Sequence, residues 1–174
     1  MNNSCAAIAI VFGLAASGVW AQSAGPTDAQ IAAIVVTANQ VDIDAEKLAA
    51  SKSSNKEVKE FAQRMVTDHT GVNKAATELV TRLKVKPESN ATSSKLKESG
   101  EATLKRLNAL KGAEFDKAYA ANEVTYHQSV LDALDNTLIP GAKNSELKAL
   151  LVKVRPAFVA HLEHAKHLHA SLDK

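Results

Sequence analysis

Along residues 58–83 the apolar positions return at alternating steps of four and three: Val58, Ala62, Met65, Val72, Ala76, Leu79 and Leu83, with His69 standing in the same seam. A stripe of that period can only be buried by a helix packed against other helices. The rhythm recurs in Ala120, Val124, His127, Leu131, Leu134 and Leu138, where Tyr119, Tyr126 and Val130 widen it. It recurs again in Leu147, Leu151, Val154, Phe158, His161, Ala165, Leu168 and Leu172. Ahead of these, Ile31, Val35, Ala38, Asp42, Ala45 and Ala49 form one edge of a stripe whose other edge is Ile34, Val41 and Leu48. Strand-like alternation is scarce, so the fold class is all-α.

Breakers and caps divide this pattern into five helices. The first follows Thr27, which pairs with Gln30 as a capping box, and reaches about Ser51. Ser54 with Glu57 suggests a second capping box, opening a helix to about Lys84. Pro87, Ser89 and Asn90 interrupt the chain. A shorter helix is predicted from Ser93 to Leu110, a fourth from Ala113 to about Leu138, and a last from Ser145 to about Leu172 after the Ile139-Pro140-Gly141 turn and an Asn144 cap. Pro156 falls inside the last one, where a kink is expected.

The N-terminus has a different character. Ala6 to Val19 is apolar, and Val19-Trp20-Ala21 suits cleavage before Gln22. Residues 1–21 therefore read as a secretory signal peptide, too short in its apolar part for the roughly 20 residues of a spanning helix. The expected product is residues 22–174, a single helical domain, periplasmic or secreted, with no membrane attachment after cleavage. Cleavage would remove Cys5 and Trp20, the only residues of their kinds, so the exported chain would fold without disulfides and offer no thiol nucleophile.

With 21 basic and 19 acidic residues the formal charge is +2, which provides no electrostatic footprint for nucleic acid. Lys95, Lys97, Lys105 and Arg106 read as a solvated helix face. Neither a Gly-rich phosphate loop nor a Ser-His-acid arrangement is legible, and no catalytic residue is assigned.

Chemistry concentrates elsewhere. Asp42, His69, His127 and His161 each lie within about two turns of the middle of their helix, so one bundle brings them to one depth whichever way each helix runs. Two outcomes fit. Three imidazoles and a carboxylate suit a single zinc or copper ion. Alternatively the histidines close a hydrogen-bonded layer with Tyr119, Tyr126, Asn122 and Asp42 that sets helix register, in a protein that binds an unknown protein partner or serves a stress response. A di-iron centre is disfavoured because no Glu-x-x-His occurs: Val66, Val124 and Phe158 stand three residues before the histidines. Glu123, one turn before His127, is a candidate to orient that ring, and Met65 reads as a core filler rather than a thioether ligand. His164, His167 and His169 lie near a helix C-terminus, where positive charge is favoured.

The runs Lys47-Leu48-Ala49, Val58-Lys59-Glu60-Phe61-Ala62, Met65-Val66-Thr67-Asp68-His69 and Phe115-Asp116-Lys117-Ala118-Tyr119, with Asp42, His127 and His161-Leu162, resemble the exported bacterial proteins grouped as domain of unknown function 4142. The resemblance extends from Asp28 to Leu172. It implies a ferritin-like four-helix bundle with the shorter helix as crossover, and no common activity. Relatives often carry Glu where this chain has Asp42. The linkage fits that topology, since some 18 helical residues between the two hairpins span roughly 27 Å, about one bundle length, and it also fits an ordinary five-helix up-and-down bundle.

Overall fold

The computed structural model describes residues 25–174, and the expected signal peptide lies outside them. Helix α1 covers Asp28–Lys52, α2 Lys56–Arg82, α3 Ala91–Ala109 and α4 Gly112–Ala133. A π-helical segment, Leu134–Leu138, and one helical turn, α5 (Ile139–Gly141), extend α4 before α6, Ser145–Leu172. Among the described residues no helix is long and apolar enough to cross a membrane.

The Thr27–Gln30 capping box and the Asn144 cap form as read from the sequence. The second helix starts differently. Asn55, not Ser54, caps α2 by accepting from the backbone of Glu57 and Val58. Its neighbour Ser53 is drawn inward, where its hydroxyl donates to Asp116 at 2.6 Å. Asn90, read as a breaker, is also the cap of α3. The expected 139–141 turn is helical, and α6 continues unbroken through Pro156.

End contacts give the direction of each helix. Asp28 at the start of α1 accepts from the backbone amides of Lys143 and Asn144 at the start of α6, so these two helices run the same way. Ser171 donates to Glu57 and Arg82 to Glu146, which makes α2 antiparallel to α6. The short link Leu110–Lys111 turns α4 back against α3. Meanwhile α3 runs alongside α1, tied at one end by Asn90 to Gln30 and at the other by Lys52 to Asn108. The bundle of α1, α2, α4 and α6 is thus up-down-down-up, with α3 as the single long crossover, the connectivity of ferritin-like bundles.

Crossover helix α3 comes very close to α1 at one point. A Cβ on Gly100 would sit 2.7 Å from a methyl of Val41, a branched side chain with little room to yield. Gly100→Leu is therefore expected to cost about 1–3 kcal/mol through overpacking, offset by about 1 kcal/mol of helix propensity. Urea denaturation checks this; an unchanged midpoint would mean that α3 does not need the contact.

The interior divides into two apolar clusters. One gathers Ile31, Ile34, Leu79, Leu134, Leu147 and Leu151 at the end where α1 and α6 begin. The other gathers Val58, Phe61, Met65, Leu107, Phe115 and Tyr119 at the opposite end. Each buried Leu or Phe contributes about 1.5–3 kcal/mol relative to exposure. Between the clusters lies a polar layer.

Candidate metal centre

Asp42, His69, His127 and His161 come from α1, α2, α4 and α6 and are all buried. The imidazole centroids form a near-equilateral triangle, 5.5 Å from His69 to His127, 5.2 Å from His69 to His161 and 5.5 Å from His127 to His161. Phe158 closes one side, 5.2 Å from the His69 ring. The sequence expectation that four helices bring these groups to one depth corresponds to the observed geometry.

One nitrogen of each ring is engaged on its outer side. His69 Nδ1 donates to Asn39 Oδ1 at 2.8 Å, and the same amide donates to the Val35 carbonyl, which fixes its oxygen toward the ring. His127 Nδ1 donates to the Glu123 backbone carbonyl at 3.0 Å. His161 Nε2 donates to Asp68 at 3.0 Å. These bonds select the tautomers, so that His69 Nε2, His127 Nε2 and His161 Nδ1 carry lone pairs. All three are buried and lack a hydrogen-bond partner among the described residues. A ligand atom from each ring lies within 4.8 Å of the others. The centre of such a triangle is at most about 2.8 Å from each corner, against roughly 2.0–2.1 Å for a zinc–imidazole bond, so small rotamer shifts close the difference.

Carboxylates complete the layer. Asp42 Oδ2 lies 2.9 Å from His69 Nε2 without the alignment of a hydrogen bond, so two acceptors face each other. Asp42, Glu123 and His127 form a second set of potential ligands within the same 4.8 Å limit. Glu46, one turn after Asp42, accepts from the Tyr119 hydroxyl through one oxygen and has no partner on the other. Among the described residues no lysine or arginine pairs with these three acids, and only histidines lie in ion-pair range of Asp42 and Glu123.

Burial without a compensating cation raises the carboxyl pKa values: Asp42 to about 6, Glu123 to about 7, and Glu46 well above its ordinary value. Burial lowers the imidazoles, His69 to about 4 and His127 and His161 in the same direction. For the acids, folding binds protons, so their contribution is present at low pH and fades as pH rises through their folded values. For the imidazoles, the contribution is present above their ordinary pKa and fades as pH falls. The metal-free protein is therefore expected to lose melting temperature in the window from about pH 6.5 to 7.5, as Glu123 ionises near 7. Differential scanning fluorimetry across that window checks this, and a rising melting temperature would contradict it.

The other residues singled out in the sequence divide between the layer and its surroundings. Met65 is packed in the second apolar cluster, as a filler. Glu123 is more central than an orienting role requires, since it offers a ligand atom itself. Asp68 orients His161 and also meets Arg64 at 3.6 Å. Tyr126 donates to the Ala38 carbonyl at 2.6 Å. His164 and His167 are exposed. Asn39 and Glu46 escaped the sequence reading. Their signal is spacing: Asn39, Asp42 and Glu46 follow one another at steps of three and four on the same face of α1.

Comparison with known proteins agrees with this architecture. No curated protein matches the chain. Among solved structures, one described as CopM in the Cu(II)-bound form superposes with a TM-score of 0.64 at 18% identity, covering 84% of this chain and 98% of that one. At that identity the likeness is one of fold. The sequence profile of domain of unknown function DUF4142 matches residues 15–168, and the chain belongs to that family.

Proposed function

We propose that this protein binds one late first-row transition ion, copper(II) or zinc, through His69, His127 and His161, with Asp42 as a fourth donor and Glu123 beside it. The reading rests on one observation: three buried imidazoles, each held by an outer hydrogen bond and each keeping an unpaired nitrogen, lie with a ligand atom of each within 4.8 Å of the others. A nitrogen-rich set with one or two carboxylates suits these ions, and the Irving–Williams order favours copper(II) over zinc at the same ligands. The copper(II)-bound form recorded for CopM, which shares the fold, is in keeping with that choice. The unpaired nitrogens of the three rings weigh against the competing reading, a closed network that serves helix register alone.

The proposed role is that of a metal-holding accessory protein, acting in the periplasm or outside the cell once residues 1–21 are removed. Native mass spectrometry of residues 22–174, titrated with copper(II) or zinc, tests the binding. One ion per chain is expected, with nitrogen hyperfine structure from imidazole in the copper(II) electron paramagnetic resonance spectrum. Retention of the same stoichiometry by a triple His69→Ala, His127→Ala, His161→Ala variant would assign the ion to the exposed His164 and His167 instead.

A further inference from the structure

A cavity of about 310 Å³ adjoins the candidate metal centre. Its walls are apolar: Ile34, Leu96, Val130, Leu134, Val154 and Phe158 line it. It lies where α1 and α4 would meet in a closed bundle, because α3 packs along α1 and holds the two apart. Facing residues across the α3–α4 seam are small and hydroxylated, Ser99 and Thr103 on one side and Thr125 and Ser129 on the other. Ser99, Thr125 and Ser129 are exposed, so the seam forms a mouth. Among its buried lining residues stand Asp42 and His69, with their unpaired oxygen and nitrogen. The π-helical segment Leu134–Leu138 contributes both of its terminal leucines to the wall, and such segments recur at functional sites.

We infer that this cavity binds a small amphiphile, an apolar chain ending in one carboxylate, with the carboxylate directed at the metal centre. The volume lies at the low end of small-molecule pockets and holds about ten groups of roughly 30 Å³, the size of a water molecule or methylene. Among the described residues no lysine or arginine lines the cavity, so an entering carboxylate finds a cationic partner only in an ion held by His69 and Asp42. The inference rests on the proposed metal site for the partner of the head group. The apolar walls, the mouth and the volume do not depend on it.

Decanoate is the probe, added to copper(II)-loaded protein and followed by calorimetry. One equivalent is expected to bind. In ¹³C spectra the paramagnetic copper should broaden decanoate labelled at C1 more than decanoate labelled at C10, relative to zinc-loaded protein. Leu96→Trp and Ala133→Phe each fill the cavity from a half-buried position. Both should weaken decanoate at least tenfold while copper stoichiometry stays at one. The inference fails if loaded protein takes up no decanoate, if both filled variants bind it as the parent does, or if C10 is broadened more than C1. If the protein retains no ion, decanol is titrated into metal-free protein. Decanol bound by the parent and lost from both filled variants would overturn the metal reading and keep the cavity as a ligand site. Decanol left unbound would overturn both.

Discussion

His127→Ala is expected to abolish tight copper binding, and by more than the loss of any outer hydrogen-bond partner. His127 supplies a ligand atom to both potential sets, the three imidazoles and the group it forms with Asp42 and Glu123, so its removal leaves neither complete. Asn39→Leu and Asp68→Ala remove only the groups that orient His69 and His161. Outer partners of this kind are worth roughly 10–100-fold in affinity. Competition against a chelator of known strength should rank the variants in that order. Because a bound ion stabilises the fold, the parent should also gain about 2.7 kcal/mol at a free-ion concentration 100 times Kd, a gain absent in His127→Ala. Equal affinities for His127→Ala and Asn39→Leu would show that the ion sits elsewhere.

The second large effect has the opposite sign. In the metal-free protein the double variant His127→Leu, Glu123→Leu is expected to be as stable as the parent or more so, by up to about 4 kcal/mol, while binding no ion. Among the described residues the pair holds no lysine or arginine that its removal would strand. His127 Nδ1 donates only to a backbone carbonyl of its own helix, and the half-buried Asn122 amide that reaches Glu123 can turn to solvent. What disappears is two buried unpaired atoms, His127 Nε2 and Glu123 Oε2. A layer kept for structure would respond otherwise, because deleting members of a satisfied network destabilises it. Thermal and urea melts after exhaustive chelation decide the matter, and a loss of several kcal/mol would support the structural role.

How far the primary structure reached can be judged residue by residue. The helical class, the five long helices and the convergence of His69, His127 and His161 were legible because a 3.6-residue period fixes the face a side chain occupies, and helix length fixes its depth. Glu46 was not. A glutamate beside Lys47 on a helix has the pattern of a solvated face, and only the approach of the Tyr119 hydroxyl from α4 turns that position inward. Asn39 was missed for a related reason, since its amide makes sense only once His69 from another helix lies against it. The cap of α2 shifted from Ser54 to Asn55 because Ser53 is recruited by Asp116, 63 residues away.

Periodicity along the chain determined that this protein is a helical bundle with histidines in its seams, since local spacing alone decides which face of a helix is apolar. The tertiary structure decided which ring nitrogens remain unpaired, that three acids paired with no lysine or arginine among the described residues share the layer, and that α3 holds open a cavity beside it. Those properties depend on hydrogen bonds and packing between helices far apart in sequence, and no spacing within one helix encodes them.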